Sequence, residues 1–98
     1  MRVSWTDRAE ARLDAILGHI AADAQRAVKA LERRLILRSR QIGEFPHSGR
    51  RVPDYERDDV RELIEGSYRL IYRIMADHVD VLTVMHCAQL LPTDSERL

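Results

Sequence analysis

Apolar residues recur at helical spacing in the first fifth of the chain. They fall at i, i+4, i+7, i+8 and i+11, which places them on one face of a helix, with polar residues largely off that face. Thr6 precedes this stripe and can cap the helix, while Asp7 puts negative charge in its first turn. The pattern predicts a short strand at residues 3–5 and then an amphipathic helix. The apolar positions of the helix are Ala9, Leu13, Ile16, Leu17 and Ile20.

A second apolar stripe follows Asp23, a residue that can cap another helix. Ile36 and Leu37 widen this stripe beyond what one neighbouring helix needs. We therefore predict an antiparallel helical hairpin whose second helix also contacts the sheet or a partner protein. The other apolar positions, at heptad-like spacing, are Val28, Leu31, Leu35 and Ile42.

The pattern changes from helical to alternating in the last third of the chain. Glycines and prolines mark a loop at residues 43–59. Residues 60–64, 68–75 and 79–86 then read as strands separated by short turns, which predicts an antiparallel meander. The sequence thus predicts a single α+β domain over residues 1–98, with the element order β-α-α-β-β-β. Its helical hairpin is expected to lie on a small antiparallel sheet.

Charge limits the classes of partner that the chain can bind. The 16 basic and 16 acidic residues balance, so direct nucleic-acid binding by the chain alone is not expected, because phosphate binding draws on an excess of Lys and Arg. The balance is not uniform. Residues 25–51 hold eight basic residues against two acidic ones, a local charge of +6.

The chain has neither a cysteine cluster nor a long apolar segment. Cys87 is its single cysteine, which excludes an internal disulfide and a cysteine metal cluster. No segment approaches the roughly 18 apolar residues that span a membrane, and the first residues contain no apolar signal region. We expect a cytoplasmic protein with no membrane partner, no metal site and no cofactor.

Three segments together resemble the RelE/ParE superfamily, the toxins of bacterial type II toxin–antitoxin systems. They are FPHSGRRV after the second helix, VRELIEGSYRLIYRI through the hairpin and VDVLTVMH in the last strand. The resemblance covers nearly the whole chain and implies a cognate antitoxin that covers the active surface of the toxin. It also implies one of two targets. RelE-like members cut messenger RNA in the ribosomal A site, and ParE-like members inhibit DNA gyrase.

The residues expected of a RelE-like ribonuclease are largely missing. Cleavage of RNA without a metal needs a base, an acid and cations for the phosphorane charge, roles that lysines, arginines and a C-terminal tyrosine fill in RelE-like members. Only the hairpin arginine, Arg69, is in place, and the chain after Tyr72 contains no tyrosine. The other expected positions hold Val60 and Glu62, or Arg61 and Leu63 with a one-residue gap, and Gln89.

The resemblance therefore favours a ParE-like gyrase inhibitor without a catalytic set. Two alternatives stay open. Some related ribonucleases use a Glu–Arg–His–Tyr set, which would here involve Glu62, Arg69 and His86. The chain could also be a degenerate member that binds an antitoxin but is not toxic.

Two surfaces are candidates for binding. We expect the target to contact His86, Gln89, Leu90 and Leu91, although Leu90 and Leu91 could instead cap the sheet. We expect an acidic amphipathic helix of the antitoxin to lie along the helical hairpin. Its predicted contacts are Val28, Leu31, Arg34, Leu35 and Leu37.

Overall fold

The computed structural model of the chain describes residues 1–20 and 24–98. It contains two helices and five strands, with the α+β class and the order of the main elements that the sequence predicts. The elements are β1 (Arg2–Trp5), α1 (Asp7–Ile20), α2 (Gln25–Glu44), β2 (Arg50–Arg51), β3 (Val60–Glu65), β4 (Tyr68–Ile74) and β5 (His78–His86), with 3₁₀ turns at Pro46–Ser48 and Ser95–Arg97.

The sheet is mixed rather than antiparallel, which corrects the prediction. Its strand order is β1-β5-β4-β3-β2, and β3, β4 and β5 form the expected antiparallel meander. β1 lies parallel to β5, so the two edges of the sheet come from the start of the chain and from its loop. The pattern did not predict β2, a two-residue strand within the loop that pairs with β3.

Helix α1 begins as its sequence predicts. The Thr6 side-chain oxygen accepts a hydrogen bond from the backbone N–H of Ala9 at 3.1 Å, which satisfies one of the free donors of the first turn. The predicted cap at Asp23 lies outside the described residues. The residue directly before α2 is Ala24, whose side chain makes no capping hydrogen bond.

The sheet is covered on both faces. On one face α1 and α2 contribute to a helix-side core, which contains Ala9, Leu31, Leu35, Ile42, Leu70, Tyr72, Val79, Val81 and Val84. On the other face the loop and residues 87–98, hereafter the tail, contribute to a tail-side core. Its buried members are Val52, Tyr55, Val60, Ile71, Met85 and Leu98.

An irregularity in the register between β4 and β5 changes the direction of several side chains. Ile71 pairs with Thr83 but Tyr72 pairs with Val81, which leaves Leu82 as an extra residue in β5. Because side chains alternate along a strand, one inserted residue exchanges the faces beyond it. Val84 thus joins Val81 in the helix-side core, and Met85 enters the tail-side core.

Candidate functional site

A groove of about 850 Å³ runs between β1, α1 and α2. Its walls are largely apolar, which suits a partner that buries apolar side chains. Among the described residues, α1 is too short and α2 is too polar to span a bilayer. The apolar side chains that line the groove include Val3, Trp5, Leu13, Leu17, Leu35 and Ile36.

Contacts between β1 and α2 fix one wall of the groove. The indole N–H of Trp5 donates to the Ser39 hydroxyl at 3.1 Å, and the terminal amine of Met1 donates to the Gly43 carbonyl at 2.7 Å. A Cβ atom at Gly43 would lie 2.9 Å from the Met1 carbonyl oxygen, so a larger residue would push β1 away from α2. Glycine thus permits the close approach that holds the end of α2 on the edge strand.

The predicted antitoxin contacts do not share one surface. Leu31 and Leu35 belong to the helix-side core, although Leu35 still reaches the groove wall, and Val28 is half-buried. Leu37 is 61% exposed but does not line the groove. Arg34 is on the side of α2 that faces β3, where its Nε atom is 3.1 Å from a carboxylate oxygen of Glu65.

Ile36 is the exposed apolar residue of α2 that does line the groove, with 54% of its surface exposed. The sequence identified it only as an extra apolar position. Val3, Trp5, Leu13 and Leu17 also line the groove, where the pattern had placed them simply among strand and core positions. These residues share one groove because of the way β1, α1 and α2 pack together, and no local sequence pattern shows that packing.

On the tail-side face a buried carboxylate is held by two arginines. Glu62 is 1% exposed, and its Oε1 atom accepts a hydrogen bond from Arg50 Nε at 2.8 Å and forms an ion pair with Arg50 Nη2 at 2.6 Å. Its Oε2 atom is 3.3 Å from Nη1 of Arg69, whose Nη2 atom donates to the Gln89 carbonyl. Both carboxylate oxygens are therefore occupied. Sequence reasoning missed Arg50, because its partner becomes apparent only when β2 pairs with β3.

His86 is on the other face of the sheet from Glu62 and Arg69. It pairs in register with Tyr68, and the two rings meet edge to face with centroids 5.6 Å apart. Its Nδ1 atom accepts a hydrogen bond from the backbone N–H of Ala88 at 3.0 Å. The three residues of the alternative ribonuclease set are thus not brought together.

The tail is fastened to the body of the protein at several points. The Tyr55 hydroxyl donates to the Pro92 carbonyl at 2.7 Å, and Arg57 Nη1 donates to a Glu96 carboxylate oxygen at 2.9 Å. Arg8 of α1 donates to the Leu98 carbonyl at 2.9 Å, and the Leu98 side chain is buried in the tail-side core. Removal of water from the Tyr55 hydroxyl raises its pKa.

The predicted target-binding residues differ in accessibility. Leu91 lies against the tail-side core, as the capping alternative expects, whereas Leu90 is 94% exposed. His86 and Gln89 are exposed and form a turn, in which the Gln89 side-chain oxygen accepts from the His86 N–H at 3.0 Å. Leu90 is thus the apolar residue of this set that projects into solvent.

Comparison with known families decides the identity of the fold. The model of the ParE toxin of the type II toxin–antitoxin system parDE matches residues 3–91. The chain belongs to the ParE toxin family. The resemblance read from the sequence is thereby confirmed, including its closer relation to ParE-like than to RelE-like members.

A curated relative and a solved structure agree with this family. The protein named "Putative toxin Y4kP" of Sinorhizobium fredii is 38% identical over 95 residues, which cover 93% of each chain. The structure titled "Chromosomal ParDE TA system from P. aeruginosa" matches with a TM-score of 0.70 and 21% identity. The match covers 88% of this chain and 95% of the chain in that structure, so the two proteins share a fold. As a ParE family member, the chain is the toxin component of a toxin–antitoxin pair.

Proposed function

We propose that this chain inhibits DNA gyrase and that its cognate antitoxin neutralises it by occupying the groove. The sequence resemblance supplies the gyrase target, since ParE-like members of the superfamily act on that enzyme. The membership of the ParE family supports the same target.

One observation carries the choice of a protein target over RNA. Glu62 is buried between Arg50 and Arg69, while His86 lies across the sheet from them. A ribonuclease that works without a metal needs a base and an acid on opposite sides of one scissile phosphate. Here the carboxylate is held in ion pairs, and the histidine cannot reach the same phosphate. Inhibition by binding requires no such arrangement.

The exposed end of β5 and the first turn of the tail are the surface that we assign to gyrase. Leu90 offers an accessible apolar anchor, and His86 and Gln89 offer polar groups beside it. Interfaces commonly combine a central apolar contact with directional hydrogen bonds at its border. The rest of the tail is structural, so a truncation after Gln89 would remove core residues such as Leu98 together with the surface.

A point substitution therefore tests the gyrase surface better than a truncation does. Leu90→Glu should abolish inhibition of supercoiling by purified gyrase, whereas Leu37→Glu, at an exposed leucine of α2, should leave inhibition intact. Both leucines are largely solvent-exposed, so neither change should unfold the protein. Folded wild-type protein that leaves gyrase unaffected at about 10 μM, well above the Kd of an ordinary specific complex, would exclude this target.

A parallel assay separates the alternatives. Wild-type protein added to programmed ribosomes should leave the A-site messenger RNA intact. Prompt cleavage that Arg69→Ala abolishes would establish a ribonuclease instead. A protein that affects neither gyrase nor messenger RNA, and does not arrest growth when expressed without its antitoxin, would be a non-toxic family member.

Two substitutions on α2 that introduce an uncharged polar residue test where the antitoxin binds. Ile36→Asn places a polar group in the groove and should weaken antitoxin binding by about tenfold or more, because an apolar anchor loses its contact. Leu37→Asn makes the same kind of change outside the groove and should have little effect. Equal affinities of the two variants would place the antitoxin elsewhere.

A further inference from the structure

The charged residues that line the groove are mostly acidic. Asp14 of α1 and Glu32 and Glu44 of α2 line it together with two cations, the Arg40 guanidinium and the terminal ammonium of Met1. All four side chains are exposed. Within residues 1–20 and 24–98, none of them has an oppositely charged group within 4 Å. Among the described residues, the groove thus carries three carboxylates without an ion-pair partner against the Arg40 guanidinium and the Met1 ammonium.

Two basic residues of α2, Arg34 and Arg38, lie away from the groove. A helix turns by about 100° per residue, which puts Arg34 and Arg38 on the side that faces β3. Both arginines bind Glu65 there, with N–O distances of 3.1 Å. Arg40 is the one basic side chain among the described residues that line the groove, and the terminal ammonium of Met1 is the other positive charge there. An acidic helix in the groove would meet more carboxylates than cations.

We propose that the antitoxin segment in the groove is an amphipathic helix with apolar anchors and a basic flank, which places Lys or Arg against Asp14 and Glu32. The inference rests on the proposed binding of the antitoxin in the groove, and it specifies the chemistry of the segment that binds there. It replaces the acidic helix that the sequence alone suggests.

Desolvation gives the physical reason for a basic flank. An apolar segment that fills the groove removes water from the carboxylates on its walls, and a charge that loses water without gaining a partner destabilises the complex. A lysine or arginine on the segment supplies that partner through charge-assisted hydrogen bonds. The same antitoxin helix can also place one carboxylate of its own beside Arg40.

The test removes the two groove charges without changing side-chain size. The double variant Asp14→Asn/Glu32→Gln is titrated with the purified antitoxin encoded in the same operon, at low and at high salt. The affinity should fall by about tenfold or more, and its salt dependence should decrease, because screening acts on the lost ion pairs. The control Asp54→Asn/Glu10→Gln removes one aspartate and one glutamate that do not line the groove, and it should bind like the wild type.

Two results would overturn the inference. If Asp14→Asn/Glu32→Gln binds the antitoxin as well as the wild type or more tightly, while Ile36→Asn still weakens binding, the antitoxin lies in the groove but its flank is not basic. If Ile36→Asn has no effect either, the antitoxin does not bind in the groove. The proposed binding site of the antitoxin is then wrong, together with the inference. Thermal unfolding of each variant verifies that these exposed positions leave the fold intact.

Discussion

The two faces of the sheet are completed in different ways. On the helix side, α1 and α2 leave a groove of about 850 Å³ with an exposed Ile36 and unpaired carboxylates on its walls. On the tail side, the loop and the tail close over the sheet, and the buried Glu62 is matched by two arginines.

This difference separates binding surface from scaffold. Burial of a charge is tolerated where partners within the same chain satisfy it, as they do for Glu62. Exposed apolar surface beside unpaired charges contributes little to the stability of the chain and is available to another molecule. We therefore expect substitutions at buried tail-side residues to change stability, and substitutions in the groove to change antitoxin binding.

The largest difference in stability is expected between two Glu→Gln substitutions, one on the tail side of the sheet and one in the groove. Glu62→Gln leaves Arg69, which is only 13% exposed, without its carboxylate partner and should cost about 3 kcal/mol of unfolding free energy. Glu32→Gln removes a solvated groove charge and should change stability by no more than about 0.5 kcal/mol. Urea unfolding of both variants measures the difference. Equal stabilities would contradict the division between the two faces.

The tail offers a second comparison, between a buried and an exposed leucine. Leu98→Ala removes a buried side chain from the tail-side core and should cost about 2 kcal/mol. Leu90→Ala removes an exposed side chain and should have almost no effect on stability. Thermal denaturation distinguishes the two variants. A large loss at Leu90 would mean that the first turn of the tail is structural as well.

A third prediction concerns the contact that joins the loop to the helix-side core. The Tyr72 hydroxyl accepts a hydrogen bond from the Gly49 N–H at 3.0 Å and donates one to the Pro46 carbonyl. Tyr72→Phe leaves the Gly49 N–H without this acceptor and should cost about 1–2 kcal/mol in chemical denaturation. Tyr68→Phe, at a half-buried tyrosine of the same strand, is the control and should be close to neutral. A neutral Tyr72→Phe would show that the loop is held by its apolar contacts.

The smallest expected effect is a loss of stability in acid that comes from Asp59. Hydrogen bonds from Arg57 hold the pKa of Asp59 below its usual value of 3.8, and a bond from Arg73 lowers it further. Because the folded pKa is depressed, the stabilisation is complete well above the unfolded pKa and is lost as the pH falls through the folded one. Melting curves between about pH 5 and pH 2 should show a steeper decline for the wild type than for Asp59→Asn. Parallel declines would mean that Asp59 contributes little.

The sequence by itself determined the elements and the family. The apolar stripe of α1, the cap at Thr6 and the alternation in β3, β4 and β5 are local patterns, and the structure follows them. The motif segments, together with the element order, identified the toxin family, whose model matches residues 3–91. These features are readable because each depends on residues that are close together in sequence.

Tertiary structure decided which of those residues form surfaces. Leu35 and Ile36 are adjacent in one predicted stripe, yet one is buried and the other is exposed in the groove, because the packing of α2 on the sheet divides the stripe. The extra residue at Leu82 places Val84 on the helix side and Met85 on the tail side, against the simple alternation. His86 thereby comes to lie beside Tyr68, across the sheet from Glu62. An inserted residue of this kind is defined only by pairing with a second strand, so a pattern read along one strand cannot contain it.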